Sequence, residues 1–103
     1  MTKLIFNKES RLYVSEFKVN GPFNIHLERI KPGVIRFKQR SSDEGSYDTI
    51  RDANYANADS IIDDGYASPI SVYPMYIKIE SEVEPSVAVV SSNAEVEVLT
   101  QGV

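Results

Sequence analysis

Apolar and polar residues alternate with a two-residue period along most of this chain. Phe23, Ile25 and Leu27 alternate with Asn24, His26 and Glu28, and Ile35 and Phe37 with Arg36 and Lys38. Ile77, Ile79 and Val83 alternate with Lys78, Glu80 and Glu82, and Val96 and Val98 with Glu95 and Glu97. Such a period marks strands with one buried and one solvated face. The runs are rich in β-branched and aromatic residues, which suit a pleated, half-buried surface. Sustained helical periodicity is nearly absent. Turn signals separate the runs: Asn20-Gly21-Pro22, Lys31-Pro32-Gly33, Glu84-Pro85-Ser86 and Ser91-Ser92-Asn93. Short strands punctuated in this way predict an all-β, antiparallel sandwich, with a jelly roll as one topology open to it. About seven or eight strands are expected, near residues 3–6, 12–19, 23–30, 34–40, 70–73, 75–83, 86–91 and 94–100.

Residues 41–69 break the rhythm. A connection this long is usually functional or mobile, so the chain reads as one sandwich domain over 1–103 with a long loop near 41–69. Within the loop, Asp59 can cap a single helical turn from Ser60 to Asp64, stopped by Gly65. The stretch RDANYANADSIIDDGY (51–66) is rich in oxygen donors, which hard cations need. Asp52 and Asn54 match the first and third positions of an EF-hand loop. Ala56, Asn57 and Asp63 then stand at the fifth, sixth and twelfth positions, where an oxygen ligand, glycine and glutamate are needed. No metal is therefore expected, and the Asp and Asn side chains read as turn formers.

At 103 residues, with 42% hydrophobic and 25% charged residues, the composition is that of an ordinary globular domain. There is no cysteine, hence neither disulfides nor thiolate metal sites. The apolar run Leu4-Ile5-Phe6 is too short for a signal-peptide core or a membrane span, so a soluble chain without a membrane partner is expected. The net charge of −4 is unevenly spread. Residues 1–40 hold nine Lys/Arg against three Glu, whereas 41–103 hold two against twelve Asp/Glu. Either the two halves neutralise each other inside one sandwich, or a bipolar surface docks on copies of itself or on a larger assembly.

No catalytic residue or cofactor site emerges. His26, the one histidine, falls on the polar side of its strand with no nucleophile or orienting group in evident spacing. Glycine-rich phosphate loops and nucleophile elbows are missing. Arg36, Lys38 and Arg40 line one face of one strand and could meet phosphates. However, Phe23 and Phe37 fall on the buried side and the overall balance is acidic, so nucleic acid is not an expected partner. The glutamates Glu80, Glu82, Glu84, Glu95 and Glu97 are the strip's natural counterpart. They also cannot face one another, so another strand should separate 76–84 from 94–100, or a basic surface should cover them. Tyr47, Tyr55, Tyr66, Tyr73 and Tyr76 lie in or just after the loop, among Asn, Ser and Asp. This is the composition of binding loops, although some of the rings could simply pin the loop to its own sandwich. The candidate partner-binding residues are Tyr47, Tyr55, Tyr66, Tyr73, Arg36, Lys38 and Arg40.

The stretches VNGPFNIHLERIKPGVIRFKQRSSDEGSYDTI (19–50) and VYPMYIKIESEVEPSVAVVSSNAEVEVL (72–99), with the long loop between them, resemble the small β-sandwich auxiliary capsid (decoration) or minor virion proteins of tailed bacteriophages. The resemblance is one of layout and carries no motif, so no site residue is transferred. It implies a non-enzymatic structural virion protein, made in the host cytoplasm and docking on a major capsid protein or other virion proteins, with a homo-oligomer as the expected assembly. The alternative is a carbohydrate-binding β-sandwich module, which the lack of tryptophan disfavours.

Overall fold

A computed structural model describes residues 1–49, 65–67 and 72–101 of the chain. These residues form strands and turns, without a helix. The strands are β1 (Thr2–Lys3), β2 (Asn7–Glu9), β3 (Leu12–Val19), β4 (Phe23–Arg29), β5 (Ile35–Arg40), β6 (Asp48–Thr49), β7 (Gly65–Ala67), β8 (Met75–Ser81), β9 (Pro85–Ser92) and β10 (Val96–Val98). They make two antiparallel sheets. The smaller has the order β1-β9-β4-β7; the larger has the order β10-β3-β8-β5-β6, with β2 also paired to β3. The expected all-β sandwich is what forms.

The connectivity is that of a long hairpin rolled upon itself. β1 pairs with β9, β3 with β8, β4 with β7 and β5 with β6, each antiparallel, as the two arms of a hairpin would. The roll closes laterally where β4 meets β9 and β5 meets β8. This is jelly-roll order, with two Greek keys in two facing sheets. β2 and β10 are additions to it. They lie end to end along one edge of β3, with Asn7 opposite Val14 and Val98 opposite Phe17. The gap between them is closed by Thr100, whose Oγ1 accepts from Glu16 N at 2.6 Å, while Leu99 N donates to Glu16 O at 2.9 Å. Asn7 Nδ2 donates to Gln101 O at 2.8 Å, tying the two additions together.

The period of two fixes which side chains are dry. Leu4, Phe23, Ile25, Leu27, Ala88 and Val90 enter the core from the smaller sheet, and Phe17, Val19, Ile35, Phe37, Met75, Ile77 and Ile79 from the larger. Each large apolar side chain so buried contributes roughly 1.5–3 kcal/mol relative to exposure. Phe17 and Phe23 meet edge to face across the sandwich, with ring centroids 5.9 Å apart.

The expected strands hold in the middle of the chain and shift at its ends. The run expected at 3–6 is replaced by β1 and β2 on either side of buried Leu4, whose N donates to Ala88 O at 2.9 Å. Of the strand expected at 70–73, the described residues Val72 and Tyr73 form a bend, followed by a cis Tyr73–Pro74 peptide. β8 ends at Ser81 rather than 83 because the Ser81 hydroxyl bonds both Val83 N and Val83 O, turning the chain. β6 and β7 lie inside the stretch 41–69, where no strand was expected. They have two and three residues, too few to show alternation. β3 lies between β8 and β10, so the glutamates of those two strands are kept apart, as one of the two expectations required.

Both crossovers at one end of the sandwich pack against each other. Asn20 Nδ2 donates to Glu95 O at 3.2 Å, and Ser92 Oγ donates to Pro22 O at 2.7 Å. Between these bonds a Cβ on Gly21 would lie 2.8 Å from the Cβ of Ala94, closer than two carbons can pack. Gly21→Ala is expected to lower stability by about 1–3 kcal/mol through overpacking. Ala94→Gly in the same chain should recover part of the loss in a chemical-denaturation cycle. Ser15, fully buried opposite Ile79, has a hydroxyl with no hydrogen-bond partner. Ser15→Ala is expected to raise stability by about 1 kcal/mol in the same assay, since it removes an unpaired buried polar group.

Candidate docking surface

The residues of β3, β8 and β5 that do not enter the core make the outer face of the larger sheet. Register stacks them in rows across the strands: Val14–Glu80–Arg36, then Glu16–Lys78–Lys38, then Lys18–Tyr76–Arg40. β10 adds Glu97 opposite Lys18. Cations outnumber carboxylates here, although the chain as a whole is acidic. Lys78 and Lys38 stand directly opposite each other, a pairing that would be repulsive if both pointed straight out. Each leans away. Lys38 Nζ reaches diagonally to Glu80 Oε1 at 2.7 Å, and Lys78 Nζ sits 5.6 Å from the ring centre of Tyr47.

Tyr47 organises the face. The loop after β5 turns back through Gly45, whose φ of 86° lies in the left-handed region, and Arg40 Nη1 donates to Gly45 O at 2.9 Å. The loop thereby lays the Tyr47 ring over the sheet, with Arg40 stacked 4.5 Å from its centre and its hydroxyl donating to Glu16 Oε2 at 3.0 Å. Burial is the main cause that pushes the Tyr47 phenol up to about 12. The hydrogen bond and negative charge of Glu16 add to the shift, and Arg40 opposes it. Tyr76 is flanked in turn, with Lys18 and Arg40 each 5.6 Å from its ring centre. Each such cation–aromatic contact is worth about 0.5–1 kcal/mol where exposed and more where desolvated. Together they hold long side chains that would otherwise sample many rotamers.

Arg36, Lys38, Arg40 and Tyr47, expected as partner-binding residues, come together on this face. Arg36 is exposed beside Glu80; the other three are half-buried and engaged with one another's neighbours. Tyr73 goes elsewhere, packing against the core cluster. Tyr55 lies outside the described residues, as do the candidate calcium positions Asp52–Asp63 and the helical turn Ser60–Asp64. Tyr66 belongs to β7, where its backbone pairs with Ile25. Glu16, Lys18, Lys78, Tyr76 and Glu80 complete the surface. They follow the same two-residue phase as the basic strip, but only the pairing register of β3 and β8 reveals that they adjoin it. His26 is exposed on the other sheet, its Nε2 3.3 Å from Glu28 Oε2.

Among the described residues, two shallow clefts adjoin the sheets. One, of about 300 Å³, has Val14 and Leu99 as its apolar part and Asn7, Glu9 and Glu16 on its rim. The other, of about 380 Å³, lies where Pro22 and Asn24 meet Ser91 and Asn93 and has no charged side chain in its lining. Among the described residues no three His, Asp or Glu side chains are grouped for a metal ion, and no helix is long and apolar enough to cross a membrane. No protein-family model, curated protein or solved structure matches the chain.

The raised phenol has a direct consequence for alkaline stability. Below pH 10, the ordinary tyrosine value, Tyr47 is neutral in folded and unfolded chain alike, and its stabilising contribution is fully present. As pH rises from 10 toward 12 the unfolded chain ionises first, and that contribution is lost. Tyr47→Phe is therefore expected to flatten the fall in melting temperature over this range. In an ultraviolet phenolate titration it should remove a component that ionises near pH 12.

Proposed function

We propose that the protein is a non-catalytic structural module, an auxiliary capsid component of a virion. It docks through the outer face of its larger sheet on an acidic surface of a major capsid protein. The observation that carries this reading is the preorganised arginine–tyrosine face. Arg36 stands exposed at the margin of a surface on which Arg40, Lys78, Tyr47 and Tyr76 already hold one another. Arginine and tyrosine dominate the energetics of protein interfaces, and side chains ordered before binding lose little entropy on docking. The net positive charge of the face selects an acidic counterpart and fixes its register. Jelly-roll sandwiches occur in viral capsids and in lectins, which supports the reading by analogy of fold alone.

A second reading, a carbohydrate-binding module, draws on the cleft between Asn24, Ser91 and Asn93. Its amides and hydroxyl suit the hydroxyl groups of a neutral sugar, and Pro22 gives it an apolar wall. A glycan array separates the two readings: a saturable glycan signal lost in Asn24→Ala favours the lectin.

The docking reading is tested by particle incorporation. Arg36→Glu with Lys38→Glu, and separately Tyr47→Ala, should each reduce incorporation into purified particles about tenfold or more. Circular dichroism should show the strand content unchanged. Wild-type incorporation of both variants would sink the proposal.

A further inference from the structure

The outer face of the smaller sheet differs in kind. β9 runs through its middle and turns Val87, Val89 and Ser91 outward, away from buried Ala88 and Val90. On one side, Lys3 of β1 stands opposite Val89. The bond from Leu4 N to Ala88 O carries that pairing one step further and brings Ile5 opposite Val87. On the other side, His26 of β4 stands opposite Val89 and Glu28 opposite Val87. Ile5 and Val87 remain 41% and 37% exposed and Val89 is half-buried, so an apolar stripe of Ile5, Val87 and Val89 reaches water. Lys3 flanks it on the β1 side, and the His26–Glu28 pair, 3.3 Å apart, flanks it on the β4 side. A contiguous apolar stripe with a polar rim on a sheet face marks an interaction surface.

We infer that this face pairs with the same face of a second copy. The charge layout selects the occupant. Two identical sheets stacked face to face about 10 Å apart are related by a two-fold axis lying between them. With the axis along β9, the β1 side of one copy covers the β4 side of the other. Lys3 then meets the partner copy's His26–Glu28 flank twice by symmetry, and the valines of the two copies stack in the centre. The perpendicular axis would lay β1 over β1 and β4 over β4, which keeps Lys3 away from the partner copy's Glu28. With the axis along β9 the surface is thus self-complementary, and the resulting contact is isologous and closed. This dimer leaves the arginine–tyrosine face of each copy directed outward, so the inference stands whether or not that face docks on a capsid.

Light scattering of the purified chain over a dilution series tests it. The expected mass at high concentration is twice 11.5 kDa, returning to 11.5 kDa on dilution. Val87→Asp should weaken association by about tenfold or more with the melting temperature kept. Lys3→Glu and Glu28→Lys should each weaken it by about tenfold. The double variant Lys3→Glu/Glu28→Lys should restore it, a result that altered folding alone cannot produce. A wild type that stays monomeric to roughly 1 mM, a trimer or larger ring, or a double reversal no better than the singles would overturn the inference.

Discussion

The outer surface of the larger sheet depends on the register of β8 between β3 and β5. β8 pairs with β3 from Tyr13 to Val19 and with β5 from Ile35 to Arg40, so it is fixed from both sides. Its inward set, Met75, Ile77, Ile79 and Ser81, is wholly buried. A slip of one residue would send those side chains into water and Lys78 and Glu80 into the core. The cost of that exchange locks the register, and the register in turn sets Lys78 between Glu16 and Lys38, and Tyr76 between Lys18 and Arg40. The charged pattern is thus a by-product of packing on the opposite face. Tyr47 then exploits it, because its ring finds cations and its hydroxyl finds Glu16 already in place.

What could be read in the sequence follows from how far each determinant reaches along the chain. β4, β5 and β8 were legible because each is six or seven residues long and alternates locally, and β3 and β9, of eight residues each, because turn signals bound them. β1, β6 and β7, of two or three residues, exist only because a longer strand offers them an edge, and no local pattern encodes that. The jelly-roll order was likewise open until the pairings of β1 with β9 and β4 with β7 were known. The candidate surface divides in the same way. Arg36, Lys38 and Arg40 share one strand and could be found by their phase. That Glu16, 31 residues before Tyr47, accepts its hydroxyl could not.

The two outer faces follow different physics. On the larger sheet, cations exceed carboxylates and clamp the aromatic rings, so the surface is ordered by electrostatics and stays wet. On the smaller sheet, the centre is aliphatic and charge is confined to the flanks, so water is held there only weakly. A module with one face of each kind can meet two different surfaces at once without either contact competing for the other's residues.

The edge of β3 has a further consequence, in time rather than in space. Its pairing at Glu16 is completed by Thr100, 84 residues further along the chain. Until residues 96–101 are in place, the strand at the margin of the larger sheet carries unpaired backbone groups beside a basic, aromatic face. Contacts of such long sequence separation slow the closure of β folds. During that interval the bare edge is a template on which another extended chain could be captured. The short β10 segment therefore acts as a seal on the sandwich: its pairing determines whether the sheet ends within its own chain or continues into a neighbour's.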